Sequence, residues 1–293
     1  MKKIALSTAL ISILLTGSLM AADSVATSKE VMRNATKTAA QKANVSGEHK
    51  LVQEAIRSLE FTTIALENLL KSKPKEAKKN IELALGKLEA ILSLKNSPKL
   101  LPIDNKVVVK NFIGTSSDIE RIVKDVKELI SDGKIQEARE LLNTLQSEIV
   151  IITVNLPLVS YPDALKLASK YLIEDKPEEA KKILKLALNT FTEERRIIPI
   201  PLINAIELAS SASDIAKKDK EQALKYLSAA HDELKKAKNL GYFNKGDITY
   251  KELHEYINSV EKEIKGPNNA EKLFENLVKK LNEFKNKFLS SVK

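Results

Sequence analysis

From about residue 48 onward, apolar residues recur at the spacing of an α-helix. One stripe contains Val52, Ala55, Ile56 and Leu59, and similar stripes follow through most of the chain. Residues spaced three and four apart lie on one face of a helix, so each stripe can bury one side. The pattern predicts an all-α fold of about ten helices.

Four segments repeat a turn followed by a helix. They align on an alanine that is followed by Leu or Ile four residues later: Leu70–Ile81, Ser131–Leu142, Ile173–Leu184 and Ala216–Leu227, aligned on Ala77, Ala138, Ala180 and Ala223. A small residue at this position lets two helices approach closely. We expect stacked antiparallel helical hairpins; an open solenoid of the tetratricopeptide or HEAT kind is the alternative. Ser117 and Glu120 have capping-box spacing at one helix start.

Three β-branched stretches interrupt the helical period. They are Lys106–Phe112, Ile149–Leu158 and Arg195–Leu202, and the last two contain proline. Such stretches favour extended backbone. We expect extended connections that form at most a short β pairing.

The first residues have the features of an export signal. Lys2 and Lys3 precede the apolar stretch Ile4–Leu15, and small residues follow, so residues 1–22 are predicted to be a signal peptide and the protein to be periplasmic. A membrane anchor is the alternative, but the stretch is short for one. Residues 23–47 carry few large apolar side chains and are predicted to be a flexible tether.

Charge and composition exclude several classes of protein. The chain has 48 basic and 39 acidic residues, and the lysines alternate with glutamates, which is typical of a solvated helix face. Few arginines and no aromatic interleaving argue against nucleic acid as a partner. The absence of cysteine excludes thiolate metal sites and disulfides.

The chain has no recognisable catalytic or metal-binding motif. His254-Glu255 begins like the zinc motif H-E-x-x-H, but Asn258 stands where the second histidine is needed. No glycine-rich phosphate loop and no nucleophile elbow occurs. We therefore expect no enzyme activity, no catalytic residues, no metal and no cofactor.

Two groups of residues are candidate ligand-binding positions. Arg195 and Arg196 could hold a carboxylate or phosphate with their guanidinium groups, although an ion pair with Glu193 or Glu194 is the alternative. Tyr242, Tyr250 and His254 could line a small pocket, or could form a polar edge of the core.

Residues 266–293 predict a basic amphipathic helix. Leu273, Leu277 and Leu281 share one side with phenylalanines, and lysines occupy much of the rest. Such a helix can lie on an anionic membrane surface or pack on a partner helix. Packing on its own bundle or on a second subunit is the favoured interpretation.

Four segments carry a resemblance to a known family. They are Asn155–Leu165 (NLPLVSYPDAL), Ile197–Ala205 (IIPIPLINA), Ala237–Tyr242 (AKNLGY) and Thr249–Ile257 (TYKELHEYI). In order and spacing they resemble the YfdX family of bacterial exported proteins, over a helical domain of roughly residues 48–265. The resemblance implies a periplasmic, mostly helical protein that self-associates, with a link to envelope or acid stress and no agreed catalytic residues.

Together these features predict a non-enzymatic periplasmic protein that acts through protein–protein contacts. We expect a homo-oligomer, with envelope proteins as further partners. The alternative is a binding module for a small anionic or amphipathic ligand in a cleft between hairpins. A deep pocket lined by Arg196 or Tyr242 would favour the alternative, and a large apolar surface patch would favour protein contacts.

Overall fold

The computed structural model describes residues 26–43, 49–95, 97–243, 248–266 and 271–290. The predicted signal peptide lies outside these residues. Within them the chain forms eleven helices: α1 (Ser28–Ala43), α2 (His49–Leu70), α3 (Pro74–Leu92), α4 (Ser116–Ser131), α5 (Ile135–Thr144), α6 (Tyr161–Ile173), α7 (Pro177–Ala187), α8 (Ile200–Ile215), α9 (Lys220–Asn239), α10 (Ile248–Lys265) and α11 (Glu271–Ser290). The predicted all-α class is confirmed. Among the residues that the structure describes, no helix is both long and apolar enough to cross a bilayer.

A small antiparallel sheet connects the hairpins. Its strands are β1 (Leu100–Lys110), β2 (Glu148–Pro157) and β3 (Thr192–Pro199), with β2 in the centre. Val107 lies opposite Ile151, which in turn lies opposite Arg196. The three stretches that interrupt the helical period thus pair as predicted, although β1 begins six residues before its stretch and Ile200–Leu202 of the third stretch form the first turn of α8. Each strand leads from one helical hairpin to the next.

The four predicted repeats are four helical hairpins, α2–α3, α4–α5, α6–α7 and α8–α9. The aligned alanines Ala77, Ala138, Ala180 and Ala223 are at most 2% exposed. An alanine at this place leaves room for the partner helix, as the sequence pattern predicts. The hairpins α2–α3 and α6–α7 also pack on each other.

Three of the hairpin turns share one backbone geometry. Ser72, Gly133 and Asp175, each five residues before the repeat alanine, have φ of 56°, 74° and 55°. In each turn the next residue, a lysine, donates its backbone N–H to a carbonyl five residues earlier at 2.8 Å. This is the bond that closes a Schellman-type helix end.

The helix start at residue 116 differs from the prediction. Thr115 is the N-cap of α4, and its hydroxyl accepts a bond from the Asp118 N–H while the Asp118 carboxylate accepts one from the Thr115 N–H. The predicted box at Ser117 and Glu120 is therefore wrong by two residues, because the helix begins earlier and Ser117 lies inside its first turn.

The buried residues form two main cores, and the sheet contributes Leu101 and Leu156 to the first of them. One core is built by α2, α3, α6 and α7, and the other by α8 and α9 together with α1, α10 and α11. A smaller cluster joins the sheet to α1 and α8 through Ile149, Ile198, Ile203 and Ala35. The sheet therefore presents one face to α1.

Helix α1 lies within the segment predicted to be a flexible tether. Val31 and Ala35 are buried, and Thr36 Oγ1 donates a 3.3 Å bond to Asn204 Oδ1 on α8. The segment is helical because alanines and one valine give it a narrow apolar stripe, and that stripe packs on α8.

Helix α11 packs on α8 and α10. Leu277 and Leu281 are fully buried in the second core. In this structure the amphipathic C-terminal helix therefore lies on its own bundle, which is the packing favoured by the sequence analysis.

Candidate functional site

Arg195 and Arg196 lie on β3, an edge strand of the sheet. Arg196 Nε is 3.0 Å from Glu194 Oε1, and half of the Arg196 side chain is exposed. Consecutive residues of a strand point to opposite faces, so the two guanidinium groups diverge. The two guanidinium groups therefore do not form one anion-binding site. Arg196 instead forms an ion pair with Glu194, which was the alternative given in the sequence analysis.

Tyr242 follows the end of α9 and contacts the start of β2. Its hydroxyl donates a 2.9 Å bond to Glu148 Oε2 and accepts one of 3.1 Å from the Ser147 N–H. Burial, reinforced by the Glu148 carboxylate, raises the pKa of Tyr242. Tyr242 thus fixes the end of α9 to the central strand and acts as a structural contact here.

Tyr250 and His254 lie together on α10, with His231 of α9 beside them. The ring centroids of His231 and His254 are 3.8 Å apart in an edge-on arrangement, and those of Tyr250 and His254 are 6.1 Å apart. Lys238 Nζ lies 4.9 Å above the Tyr250 ring. The predicted neighbourhood thus includes a second histidine, which the sequence analysis left out.

Burial changes the pKa values in this cluster. It raises the pKa of the Tyr250 hydroxyl. It also lowers the pKa of His254, and the neighbouring His231 lowers it further. A protonated imidazolium is disfavoured at this place because it would lose solvent and meet a second histidine.

A well-formed cavity on the described part of the chain lies elsewhere. It is an open cleft of about 890 Å³ between α1, the end of β1 with the loop after it, and helices α8 and α9. None of the five predicted residues lines it, and only Tyr242 approaches it, through the lining residue Ser147. The residues predicted to bind a cleft ligand, Arg195, Arg196, Tyr242, Tyr250 and His254, therefore do not line this cleft.

One wall of the cleft is basic. It is formed by Lys29, Arg33 and Lys37, which are four residues apart on α1 and therefore share one face of the helix. The other face of α1 buries Val31 and Ala35. The spacing of the three basic residues in the sequence could have indicated that they share one helix face.

A second wall is apolar. Val107, Val109, Phe112 and Ile113 of β1 and its following loop line it. Ile113 is 93% exposed and Val109 46%, so both present apolar surface to water. Large apolar side chains left open beside a cavity are a common feature of ligand sites.

The floor of the cleft is a buried polar network. Asn204 Nδ2 donates a 2.9 Å bond to Glu233 Oε2, and Lys236 Nζ lies 2.7 Å from Glu233 Oε1. Asn204 and Glu233 are 7% and 4% exposed. Among the described residues that line the cleft, Glu233 is the only acidic one, and its charge is matched by Lys236.

The described residues contain no cluster of histidine, aspartate and glutamate suited to hold a metal ion. The site is thus defined by a basic wall, an apolar wall and a closed ion pair. Such a surface can bind a molecule through charge and apolar contact. The protein that carries it is a helical-hairpin protein with a small antiparallel sheet.

Comparison with known proteins finds a family match over part of the chain. The family model described as YfdX protein matches residues 58–196, so this part of the chain is a YfdX region and the predicted resemblance is confirmed. A solved structure of Salmonella Typhi YfdX aligns at 13% identity, covers 50% of this chain and 91% of that chain, and has a TM-score of 0.35. No curated protein matches the chain. Helices α1, α8 and α9, which build most of the cleft, lie outside the matched residues.

Proposed function

We propose that this is a non-enzymatic periplasmic protein that acts through contacts with other proteins, beginning with a second copy of itself. The observation that carries the proposal is an open apolar face on the α4–α5 hairpin. Ile130, Ile135 and Leu142 on this hairpin are each 47–49% exposed. We call these three residues the hairpin patch.

The hairpin patch is open because α5 has little to pack against. In the described part of the chain α5 contacts mainly α4, and α4 contacts α9. Ala138 is the only residue of α5 that is buried. An amphipathic helix of this kind normally buries a wider stripe.

The other hairpins indicate what covers such a face. Hairpins α2–α3 and α6–α7 cover each other through both of their helices, whereas among the described residues only α4 of the α4–α5 hairpin packs on a further hairpin, at α9. The same hairpin of a second copy, related by a two-fold axis, would supply an equivalent face. The hairpin surface carries both signs of charge, for example Lys124 and Glu128 at 3.6 Å, which suits self-pairing.

The compartment and the further partners rest on the sequence. The predicted signal peptide over residues 1–22 supports a periplasmic location, and the YfdX resemblance supports a role in envelope or acid stress. Envelope proteins are then the clients we propose. The patch would serve either a second copy or such a client.

Native mass spectrometry and sedimentation velocity of protein recovered from the periplasm test the proposal. Replacing Ile135 and Leu142 together by glutamate should weaken self-association by at least about tenfold, because two charges would enter an apolar contact. Replacing Ile173 and Leu186 together by glutamate is the matched control, since these residues of α6 and α7 are 68% and 59% exposed and the change adds the same two charges. A double variant that assembles like the unmodified protein would contradict the proposal.

A second function has an observation of its own. The cleft combines a basic wall, an apolar wall and a volume in the range of small-molecule sites. We therefore propose small-ligand binding in the cleft as the second candidate. Membrane-surface contact through α11 has less support, since Leu277 and Leu281 are buried in the bundle.

A further inference from the structure

We propose that the cleft binds an anionic amphiphile, a single carboxylate head on an apolar chain. The head would lie at Lys29, Arg33 and Lys37, and the chain on the wall formed by Val107, Val109, Phe112 and Ile113. This inference rests on the second proposed function and names its ligand class.

The basic wall supplies the charge recognition. The three side chains line the cleft from one face of α1, so their charges add at one place. Glu30 on the same helix is engaged elsewhere, because its carboxylate accepts bonds from the Thr27 N–H at 2.8 Å and the Thr27 hydroxyl at 3.0 Å. Those bonds lower the pKa of Glu30 most, and the charge of Arg33 lowers it further, so Glu30 is held at the start of the helix and offsets part of the charge of Arg33.

The floor excludes a cationic ligand. Glu233 is the one carboxylate lining the cleft in the described chain, and Lys236 and Asn204 occupy both of its oxygens. A cation would have to displace Lys236 from a buried pair. An anion meets three basic groups and no open carboxylate.

The apolar wall requires more than an inorganic anion. Ile113 is 93% exposed and Val109 46%, and both line the same cleft as the basic helix. An alkyl chain laid along them would remove apolar surface from water on both partners. Phosphate or acetate would leave this wall uncovered.

Isothermal titration calorimetry of the mature protein with decanoate, below its micelle-forming concentration, tests the inference. Decyltrimethylammonium carries the same chain with the opposite charge, and acetate carries the carboxylate without the chain. We expect decanoate to bind at least about tenfold more tightly than either, and the difference to shrink at high salt as the charges are screened.

Two sets of variants locate the site. Replacing Lys29, Arg33 and Lys37 together by glutamine should weaken decanoate binding at least about tenfold. The control replaces Lys75, Lys79 and Lys182, exposed residues of α3 and α7, by glutamine and loses the same charge. Ile113→Ser tests the apolar wall without disturbing a buried contact, with Val159→Ser, at a site 66% exposed, as its control.

The outcomes separate the ligand class from the cleft itself. If decanoate and decyltrimethylammonium bind equally and both lose binding in Ile113→Ser, the cleft does not select an anionic head. That result would overturn the inference and still support small-ligand binding in the cleft. Decanoate binding unchanged in both the glutamine variant and Ile113→Ser would place the ligand elsewhere and overturn the inference. If none of the three probes binds, this inference is overturned. The broader proposal of small-ligand binding fails separately, if a broad ligand screen also leaves the cleft unoccupied.

Discussion

Asn204 and Glu233 are joined across two helices by a 2.9 Å hydrogen bond from the Asn204 amide to the Glu233 carboxylate. Both side chains are less than 10% exposed, and Lys236 completes the network at 2.7 Å. A buried carboxylate of this kind is stable only while its partners are in place. The network therefore connects the stability of α8 and α9 to the shape of the cleft.

Glu233→Ala should lower the free energy of unfolding by about 1–3 kcal/mol, since it leaves the Asn204 amide and the Lys236 ammonium without an acceptor. Glu233→Gln should cost less, because its amide oxygen can still accept from Asn204. Urea unfolding measures both. Glu221→Ala, at an exposed pair on the same helix, should change the value by less than about 0.5 kcal/mol, and an equal loss in it would contradict the assignment.

Ser72→Gly should stabilise the protein by about 0.5–1 kcal/mol, because Ser72 has φ of 56° and glycine adopts that region without a Cβ penalty. Asp175→Gly should gain less, since aspartate tolerates the left-handed region better than serine. Thermal unfolding measures each change. Lys218→Gly in the fourth turn, where the described backbone has no positive φ, is the control and should not stabilise; a gain there equal to that of Ser72→Gly would contradict the explanation.

Ala77→Leu should destabilise the protein by about 1–3 kcal/mol, because Ala77 has no exposed surface and the larger side chain would push two packed helices apart. Gly86→Ala in the same helix is the matched control. A Cβ at Gly86 meets nothing within 4 Å, so this change should stabilise by about 0.5–1 kcal/mol through helix propensity. Unfolding in urea distinguishes the two, and an Ala77→Leu variant as stable as the parent would refute the close-approach role of the repeat alanines.

His254 predicts a pH dependence of stability. Its pKa in the folded protein is below the ordinary value near 6.5, first because of burial and next because of His231 and Lys238, with Glu255 and Glu261 acting the other way. The unfolded chain therefore binds the proton more tightly. The stabilising contribution is complete above about pH 6.5 and is lost as the pH falls below that value.

His254→Gln should remove this contribution. We expect the melting temperature of the variant to fall less between pH 7 and pH 5 than that of the unmodified protein. His231→Gln should flatten the dependence in part, because it removes only the repulsion between the two rings, 3.8 Å apart. Identical pH profiles for all three proteins would show that the titration of His254 is not coupled to folding.

The hairpins were predictable because their information is local. Each repeat alanine has its helical stripe and its turn within about ten residues, and Ala77, Ala138, Ala180 and Ala223 are buried as expected. The β-branched stretches were equally readable from the chain. The position of the α4 N-cap could not be predicted from the sequence, because Thr115 and Ser117 are both favourable N-cap residues. Only the residue at which the helix begins decides between them.

The cleft could not be predicted in the same way. Its walls come from α1, β1, α8 and α9, and the lining residues Lys29 and Lys236 stand at opposite ends of most of the chain, so no local pattern predicts that they meet. The sequence analysis chose Arg195 and Arg196 because they are adjacent in the chain. In the structure these two side chains point to opposite faces of the sheet, because they are consecutive residues of a strand. Lys29, Arg33 and Lys37 lie on one side of α1, because a helix places every fourth residue on the same side.

Helix α1 also has a kinetic consequence. The Thr36–Asn204 bond spans 168 residues, and the Tyr226 hydroxyl donates to the Ala26 carbonyl across 200, whereas each hairpin closes within a few residues. Contacts of long sequence separation form slowly because much chain entropy is lost before they are made. The first described helix of the chain should consequently dock last, on a scaffold that is already assembled, and the basic wall would come into place only at that final step of folding.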